Sequence, residues 1–207
     1  MIAFRADGSN SIGAGHIMRC LTIADAFPDK KDICFITCNE DSASLINERG
    51  YEAYCLAAYS AKDVMETPIN EELSELIGLI EKLNISFLMI DSYRVTDEYL
   101  KALKAVTKMG YIDDRTDRHI SADLVLNYNL FADEKKQKEL ADSSAKVLCG
   151  ADFVPIRQEF SETDYEVRKE VKNVLILTGG GDALGLGDKF AKFFAGDDSG
   201  ITYHIVG

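Results

Sequence analysis

The chain alternates between short apolar runs and longer segments in which apolar residues recur every three or four positions. The short runs predict β-strands, at residues 2–6, 32–38, 51–57, 87–90, 110–112, 123–126 and 146–149. The periodic segments predict helices, at residues 16–27, 42–49, 69–83 and 96–108. Strands that alternate with helices favour βαβ units with right-handed crossovers. The pattern therefore predicts an α/β fold, a Rossmann-like doubly wound parallel sheet.

A charged stretch at residues 161–172 interrupts this alternation and is typical of a linker. The pattern then restarts, with a strand at 173–178, a helix at 188–195 and a strand at 201–206. One βαβ unit cannot cover both faces of a parallel sheet, so these elements either extend the first sheet or begin a second domain. We predict three regions: a domain at 1–160, a linker at 161–172, and the first βαβ unit of a C-terminally truncated domain at 173–207.

Composition and charge narrow the range of partners. The net charge of −12 argues against nucleic acid and anionic membrane surfaces as general partners. No apolar run approaches the ~20 residues that span a bilayer, so we expect no membrane insertion. The five cysteines form no CxxC pair and indicate reduced thiols in the cytoplasm. Cys34 and Cys38 have no nearby histidine, so we expect no metal site there.

A glycine-rich loop precedes the first predicted helix and contains Gly13 and Gly15. The spacing resembles the dinucleotide fingerprint GxGxxG, but Met18 stands where the third glycine allows close helix–strand packing. Glu40 and Asp41 follow the second strand, where a ribose-binding carboxylate could sit. A dinucleotide site and a purely structural turn are therefore two alternatives for this loop.

His16 follows this loop at the start of the predicted helix. A helix N-terminus offers unpaired N–H groups and a partial positive charge, which disfavour an imidazolium ion. A histidine that stays neutral there can act as a general base near neutral pH. The alternative is a histidine with a structural role only.

Further candidates lie at the ends of strands, where open α/β sheets bind ligands. Asp91 and Tyr93 end the apolar strand at 87–90, and two adjacent carboxylates, Asp113 and Asp114, point to different sides and imply no shared metal. Other candidates are the second glycine loop at Gly179–Asp182, which could hold phosphate, and Arg157, which could anchor the linker through Glu159 or contact phosphate. We interpret His119 and His204 as structural.

The opening run RADGSNSIGAGHIMRCLTIADAF resembles the signature of the UDP-sugar hydrolases of pseudaminic acid biosynthesis. The matching positions are Arg5, Asp7, Ser9, Ile12, Gly13, Gly15, His16, Met18, Arg19, Cys20, Leu21 and Ala24. Later landmarks follow in the order of that family, at Asp91, Tyr93, Ile112–Asp114, Asn127 or Asn129, Leu148–Phe160 and Gly180–Asp182. Spore-coat polysaccharide proteins have a similar opening, so the signature indicates the family better than the substrate.

The resemblance implies a GT-B fold of two Rossmann-like domains, related to MurG-type glycosyltransferases. It implies cofactor-free and metal-independent hydrolysis of UDP-2,4-diacetamido-2,4,6-trideoxy-β-L-altropyranose, with inversion at the anomeric carbon. His16 matches the catalytic histidine, and Tyr93 matches a tyrosine near the catalytic water. We assign substrate binding to Asp7, Gly13, Gly15, Met18, Arg19, Asp91 and Arg157, with the diphosphate at Gly180, Gly181 and Asp182.

Two other functions stay open at this point: a GT-B glycosyltransferase of polysaccharide biosynthesis, and a non-catalytic module that binds sugar nucleotides. Members of the family continue well past the last residue of this sequence, so we expect a truncated second domain and weak UDP binding. The interface that such a truncation would leave exposed predicts self-association.

Overall fold

The computed structural model describes residues 1–9, 12–59, 67–160, 166–178, 182 and 184–206. The chain divides into two compact units, Met1–Arg157 and Gln158–Gly207. The division into a catalytic domain, a linker and the start of a further domain stays a prediction.

The first unit contains a seven-stranded parallel sheet with the strand order β3-β2-β1-β4-β5-β6-β7. Its strands are β1 (Ile2–Ala6), β2 (Ile33–Thr37), β3 (Glu52–Cys55), β4 (Phe87–Asp91), β5 (Lys108–Ile112), β6 (Leu124–Asn127) and β7 (Lys146–Cys149). Its α-helices are α1 (Gly15–Ala24), α2 (Glu40–Glu48), α3 (Leu73–Lys82), α4 (Asp97–Lys104) and α5 (Glu134–Leu140). The α/β Rossmann-like prediction is confirmed.

Two apolar cores lie on opposite faces of this sheet, because successive side chains of a strand point to opposite sides. On one face, Ile17 and Leu21 of α1 join a cluster with Phe4 and Phe35 of the strands. On the other face, the helices α3 and α4 form a second cluster with residues such as Leu88. The strand order reverses between β1 and β4, which is where open α/β sheets form a ligand crevice.

Helix α5 is absent from the sequence-based prediction, because its sequence EKKQKEL has a single apolar residue. One polar side chain holds this helix on the domain: buried Gln137 donates to Asp113 Oδ2 at 2.8 Å and accepts from Asn127 Nδ2 at 2.9 Å. The predicted helix at 96–108 ends at Lys104, because β5 already begins at Lys108. Thr96 caps that helix through the Tyr99 amide, as its sequence indicates.

The second unit contains β8 (Asn173–Leu177), α6 (Leu186–Phe194) and β9 (Thr202–Val206). In the part of the chain that the structure describes, β8 and β9 pair only with each other, in parallel. They form a separate two-stranded sheet, so the alternative that these elements extend the first sheet is wrong. The Tyr203 ring stacks on Phe194 with centroids 3.9 Å apart, which fixes α6 on one face of this sheet.

A buried ionic cluster joins β1 to the short 3₁₀ helix Ile69–Glu72 that precedes α3. Arg5 of β1 is 1% exposed and forms a bidentate pair with Glu72, at 2.8 and 2.6 Å. Arg5 also binds Asp7, and the hydroxyls of Tyr59 and Tyr99 donate to the Glu72 carboxylate. Each charge therefore has a partner of opposite sign, which offsets the cost of removing these groups from water.

We expect Glu72→Ala to destabilise the first unit by about 3–5 kcal/mol, because it leaves the buried Arg5 cation without its bidentate partner. Chemical denaturation followed by circular dichroism measures this change. The matched control is Glu71→Ala, at the exposed neighbouring position, which should change stability by less than about 0.5 kcal/mol. Equal effects of the two variants would contradict the role of the cluster.

All five cysteines are free thiols, and Cys20, Cys34 and Cys38 are buried in the cores. Burial, together with the charge of Asp91, raises the pKa of Cys20 well above its ordinary value. Burial also raises the pKa of Cys34 to about 11 and that of Cys38 to about 12. These thiols are therefore poor nucleophiles in the folded protein.

We expect iodoacetamide at about pH 8 to leave Cys20, Cys34 and Cys38 unmodified in the native protein, because the thiolate is the reactive form. The partly exposed Cys55 and Cys149 should react first. Peptide mass spectrometry identifies the modified positions, and labelling in denaturant is the control. Native labelling of the three buried thiols at the denatured rate would contradict the packing of both cores.

Candidate functional site

A glycine-rich loop leads from the carboxyl end of β1 to the start of α1 at Gly15. Gly13 has φ +72°, a left-handed conformation that favours glycine, and a side chain at Gly13 or Gly15 would meet nothing within 4 Å. Ala14 occupies the N-cap and supplies no side-chain acceptor, and the first turn has no acidic residue. Ala14 and Gly15 are exposed, so among the described residues the N-terminus of α1 keeps its backbone donors and partial positive charge without a side-chain cap.

His16 lies in the first turn of α1 and is 7% exposed. Its Nδ1 atom lies 2.7 Å from Oδ1 of Asp91, the last residue of β4. The donor-only Nη2 atom of Arg19 also lies near Nδ1, at 3.0 Å, but that nitrogen already donates to Asp91. Because the contact with Asp91 is the shorter one and a carboxylate only accepts, we assign the ring proton to Nδ1, which leaves Nε2 as the basic nitrogen. Strands β1 and β4 are neighbours, with Ala6 opposite Asp91, so the strand order itself brings the histidine and the aspartate together.

Arg19, one turn after His16, is the cation that neutralises this buried carboxylate. Its Nε and Nη2 atoms bind both oxygens of Asp91, which is fully buried. Its Nη1 atom donates to Asp114 Oδ2 at 3.0 Å and to the Tyr128 hydroxyl at 2.9 Å. Burial alone would lower the pKa of Arg19, but the hydrogen bonds and charge of Asp91 raise it well above its ordinary value. Arg19 therefore stays protonated and holds three elements together.

Tyr93 covers the histidine from the loop after β4. Its ring meets the His16 ring edge-on, with centroids 4.7 Å apart, and its hydroxyl donates to Asp114 Oδ2 at 2.7 Å. Partial burial and this hydrogen bond raise the pKa of the Tyr93 phenol. Tyr93 remains 44% exposed, so one side of it is open to a ligand beside the imidazole.

The structure therefore brings four of the predicted site residues into one cluster, His16, Arg19, Asp91 and Tyr93. Asp91 is bound to both His16 and Arg19, so the contacts of Asp91 and Arg19 are those of residues that position the imidazole. Gly13 and Gly15 line the approach to the helix, and Met18 is half-buried against the core on the α1 side of the sheet. The assignment of these residues to substrate binding stays a prediction.

Asp7 is another predicted binding residue. It is only 1% exposed and lies beside Arg5 in the ionic cluster. Its Oδ2 atom has no hydrogen-bond partner among the described residues and lies 3.9 Å from Arg94 Nη2. Arg157 is half-buried at the end of the first unit. Glu40 and Asp41 form the first turn of α2, where acidic residues stabilise a helix.

The predicted diphosphate loop falls mainly on positions that the structure does not describe, since Gly180 and Gly181 lie outside the described residues. Asp182 is described, and its two carboxylate oxygens accept from the amides of Leu186 and Gly187 at 2.8 and 2.9 Å. These backbone bonds lower the pKa of Asp182. The Asp182 carboxylate thus caps the N-terminus of α6 and occupies donors that a phosphate would otherwise use.

Sequence reasoning assigned no role in the site to Asp114 or Tyr128. The sequence indicates Asp114 as one of two carboxylates after a strand and as part of the family landmark Ile112–Asp114, and the structure makes it the link between Arg19 and Tyr93. Its neighbour Asp113 faces the other way, towards Gln137, as the strand alternation predicts. Tyr128 follows β6 as Tyr93 follows β4, and position after a strand is the signal that could have found it.

Within the ranges described above, no group of three or more histidine, cysteine or acidic side chains is arranged to hold a metal ion. No helix among those residues has the length and apolar character needed to cross a bilayer.

The comparison with solved structures concerns the fold. MurG of Acinetobacter baumannii superposes with a TM-score of 0.57 at 11% identity, over 99% of this chain and 65% of that one. At this identity the similarity concerns the fold alone. The chain has the α/β Rossmann-like fold, with this GT-B enzyme as a structural neighbour. No family model matches the chain.

Two proteins of known name are similar to this chain in sequence. The UDP-2,4-diacetamido-2,4,6-trideoxy-beta-L-altropyranose hydrolase of Campylobacter jejuni is 31% identical over 92% of this chain and 64% of its own length. The spore coat polysaccharide biosynthesis protein SpsG of Bacillus subtilis is 23% identical over 86% of this chain and 50% of its own length. The chain is a homologue of both, which confirms the resemblance seen at its N-terminus. It spans less than two thirds of the length of either relative.

We expect Arg19→Met to destabilise the first unit by about 3–5 kcal/mol, because it leaves the buried Asp91 carboxylate without its cation. The control is Arg115→Met, whose side chain is 50% exposed and whose pair with Asp117 should contribute less than about 1 kcal/mol. Urea unfolding of both variants measures the difference. If Arg19→Met is as mild as the control, Arg19 does not hold the site together.

Proposed function

We propose that the chain carries the catalytic histidine of a sugar-nucleotide hydrolase that cleaves UDP-2,4-diacetamido-2,4,6-trideoxy-β-L-altropyranose to the free sugar and UDP. The observation that carries this proposal is the His16–Asp91 pair at the open N-terminus of α1. The 31% identity to the Campylobacter jejuni hydrolase supports the substrate class. The five free cysteines of the present chain fit a reducing compartment, so we place the reaction in the cytoplasm.

In the proposed reaction, His16 Nε2 accepts a proton from a water molecule whose oxygen attacks the anomeric carbon. The bond between that carbon and the diphosphate oxygen breaks, and UDP leaves with the bonding electron pair. Attack from the face opposite the leaving group inverts the anomeric configuration. The products are the free sugar, UDP and a protonated imidazole, which returns its proton to solvent.

Asp91 serves this step in two ways. Its hydrogen bond to Nδ1 fixes the ring orientation and the tautomer, and its negative charge stabilises the imidazolium that forms. Arg19 donates two hydrogen bonds to the two oxygens of Asp91, and this bidentate pair keeps the carboxylate oriented towards the histidine. Both act as positioning residues through His16.

The N-terminus of α1 can stabilise negative charge close to the imidazole, because it has neither a side-chain cap nor an acidic first turn. The open space at Gly13 and Gly15 lets a substrate approach this backbone closely. We do not give Asp182 a contact with the diphosphate, since its carboxylate is already bound to the amides of α6. UDP recognition by Gly180 and Gly181 stays a prediction.

We expect His16→Ala to lower the rate of UDP release by about 10²–10⁴-fold, because it removes the general base. The assay follows UDP and free sugar from the UDP-linked diacetamido sugar without any acceptor. The matched control is His119→Ala, since His119 lies at the surface between Asp97 and Asp142 and should leave the rate unchanged.

Three outcomes would contradict this proposal. Transfer of the sugar to an added acceptor, with no release in its absence, would indicate a GT-B glycosyltransferase. Binding of the UDP-sugar with no turnover, unaffected by His16→Ala, would indicate a module that only binds sugar nucleotides. Equal rates for His16→Ala and His119→Ala would remove His16 from the reaction.

A further inference from the structure

A cavity lies beside the cluster of His16, Arg19, Asp91 and Tyr93, at the carboxyl ends of β5 and β6. Its volume is about 450 Å³, within the ~300–1,000 Å³ typical of small-molecule sites. The loop from β6 to α5 forms most of its wall, with Asn129, Leu130, Phe131 and Lys136 among the lining residues. Asp114 lines the same cavity, so the cavity and the His16 cluster share a residue.

The shared residue connects the cavity to the imidazole through two contacts. Asp114 accepts a hydrogen bond from Tyr93, and the Tyr93 ring lies against the ring of His16. A sugar whose anomeric carbon lies beside His16 would therefore extend its substituents past Tyr93 towards this cavity. Asn129 secures the loop here, because its Nδ2 atom donates to the Asp114 carbonyl at 3.0 Å.

The wall of the cavity has an apolar surface that the protein itself leaves uncovered. Phe131 is 93% exposed and the adjacent Leu130 is 71% exposed. Two large neighbouring apolar side chains in water, at the rim of a cavity, are typical of a binding surface. The Phe131 ring offers a flat, apolar face to methyl groups and to the C–H face of a sugar ring, and Leu130 extends the apolar surface beside it.

The polar groups of the cavity complement an amide. Asp114 Oδ2 is bound to Tyr93 and Arg19, whereas Oδ1 is buried without a hydrogen-bond partner among the described residues. The buried Oδ1 atom has almost no accessible surface, so the acceptor that this cavity offers to an N–H group is the amide oxygen of the exposed Asn129. The ammonium group of Lys136 and the exposed amide of Asn129 can donate to a carbonyl oxygen. An acetamido group presents this combination: one N–H, one carbonyl and one methyl.

We propose that this cavity binds an acetamido substituent of the sugar, with Phe131 as the apolar wall that selects N-acetylated deoxy sugars over ordinary hexoses. This inference rests on the proposed function for the identity of the sugar. An ordinary hexose has hydroxyl groups at the same positions and would leave the Phe131 and Leu130 surface in contact with water.

The test measures binding of two free sugars, 2,4-diacetamido-2,4,6-trideoxy-L-altrose and L-altrose, by NMR titration and saturation transfer. We expect the wild-type chain to prefer the diacetamido sugar by at least about tenfold, with saturation transfer to its acetamido methyl protons. Phe131→Ala should remove most of this preference, and Phe131→Tyr, which keeps the ring, should retain it. The matched control is Phe27→Ala, an exposed phenylalanine beyond the far end of α1.

Each further outcome bears on one proposal. An unchanged preference in Phe131→Ala, or no binding of the diacetamido sugar at millimolar concentration, would overturn the acetamido site even if the wild type releases UDP. Binding of the diacetamido sugar that depends on Phe131, without release of UDP from the nucleotide sugar, would support the acetamido site and overturn the hydrolase proposal. Because Phe131 is almost fully exposed, Phe131→Ala should fold normally, which circular dichroism checks.

Discussion

The buried pair of Arg19 and Asp91 is the interaction on which the rest of the site depends. Asp91 ends the central strand β4, and Arg19 belongs to α1, the helix that follows β1. A carboxylate in the interior is stable only beside a cation, and Arg19 grips both of its oxygens. The same guanidinium also reaches Asp114 after β5 and Tyr128 after β6. One side chain thus orders the carboxyl ends of three strands around His16.

The fold creates this arrangement through its strand order. Because β1 and β4 are adjacent at the point where the order reverses, the loop after β1 and the residue that ends β4 face one crevice. His16 gains a carboxylate at Nδ1 and an uncapped helix terminus nearby, while its Nε2 atom remains available as a base. The cavity at Phe131 lies at the ends of the neighbouring strands and shares Asp114 with the His16 cluster. In our proposal this one edge of the sheet serves both the reacting carbon and a substituent of the sugar.

The sequence allowed the layout of the sheet to be predicted, because buried parallel strands are short apolar runs and the helices α1–α4 have clear periodicity. It missed α5, which rests on the long-range bonds of Gln137 rather than on an apolar face. His16, Arg19, Asp91 and Tyr93 were separate candidates from the family signature and from their positions after strands. The structure places them in one cluster, and their roles stay predictions. The pairing of Arg5 with Glu72, 67 residues away, and the capping role of Asp182 depend on contacts that no local pattern encodes.

The most direct measurement is hydrolysis of the UDP-linked diacetamido sugar in H₂¹⁸O, quenched early, with mass analysis of both products. A base at His16 that activates water towards the anomeric carbon predicts ¹⁸O in the free sugar and unlabelled UDP. Asp91→Asn should slow the formation of both products without moving the label. Appearance of ¹⁸O in the UDP phosphate would mean attack at phosphorus, and the role assigned to the His16–Asp91 pair would then be wrong.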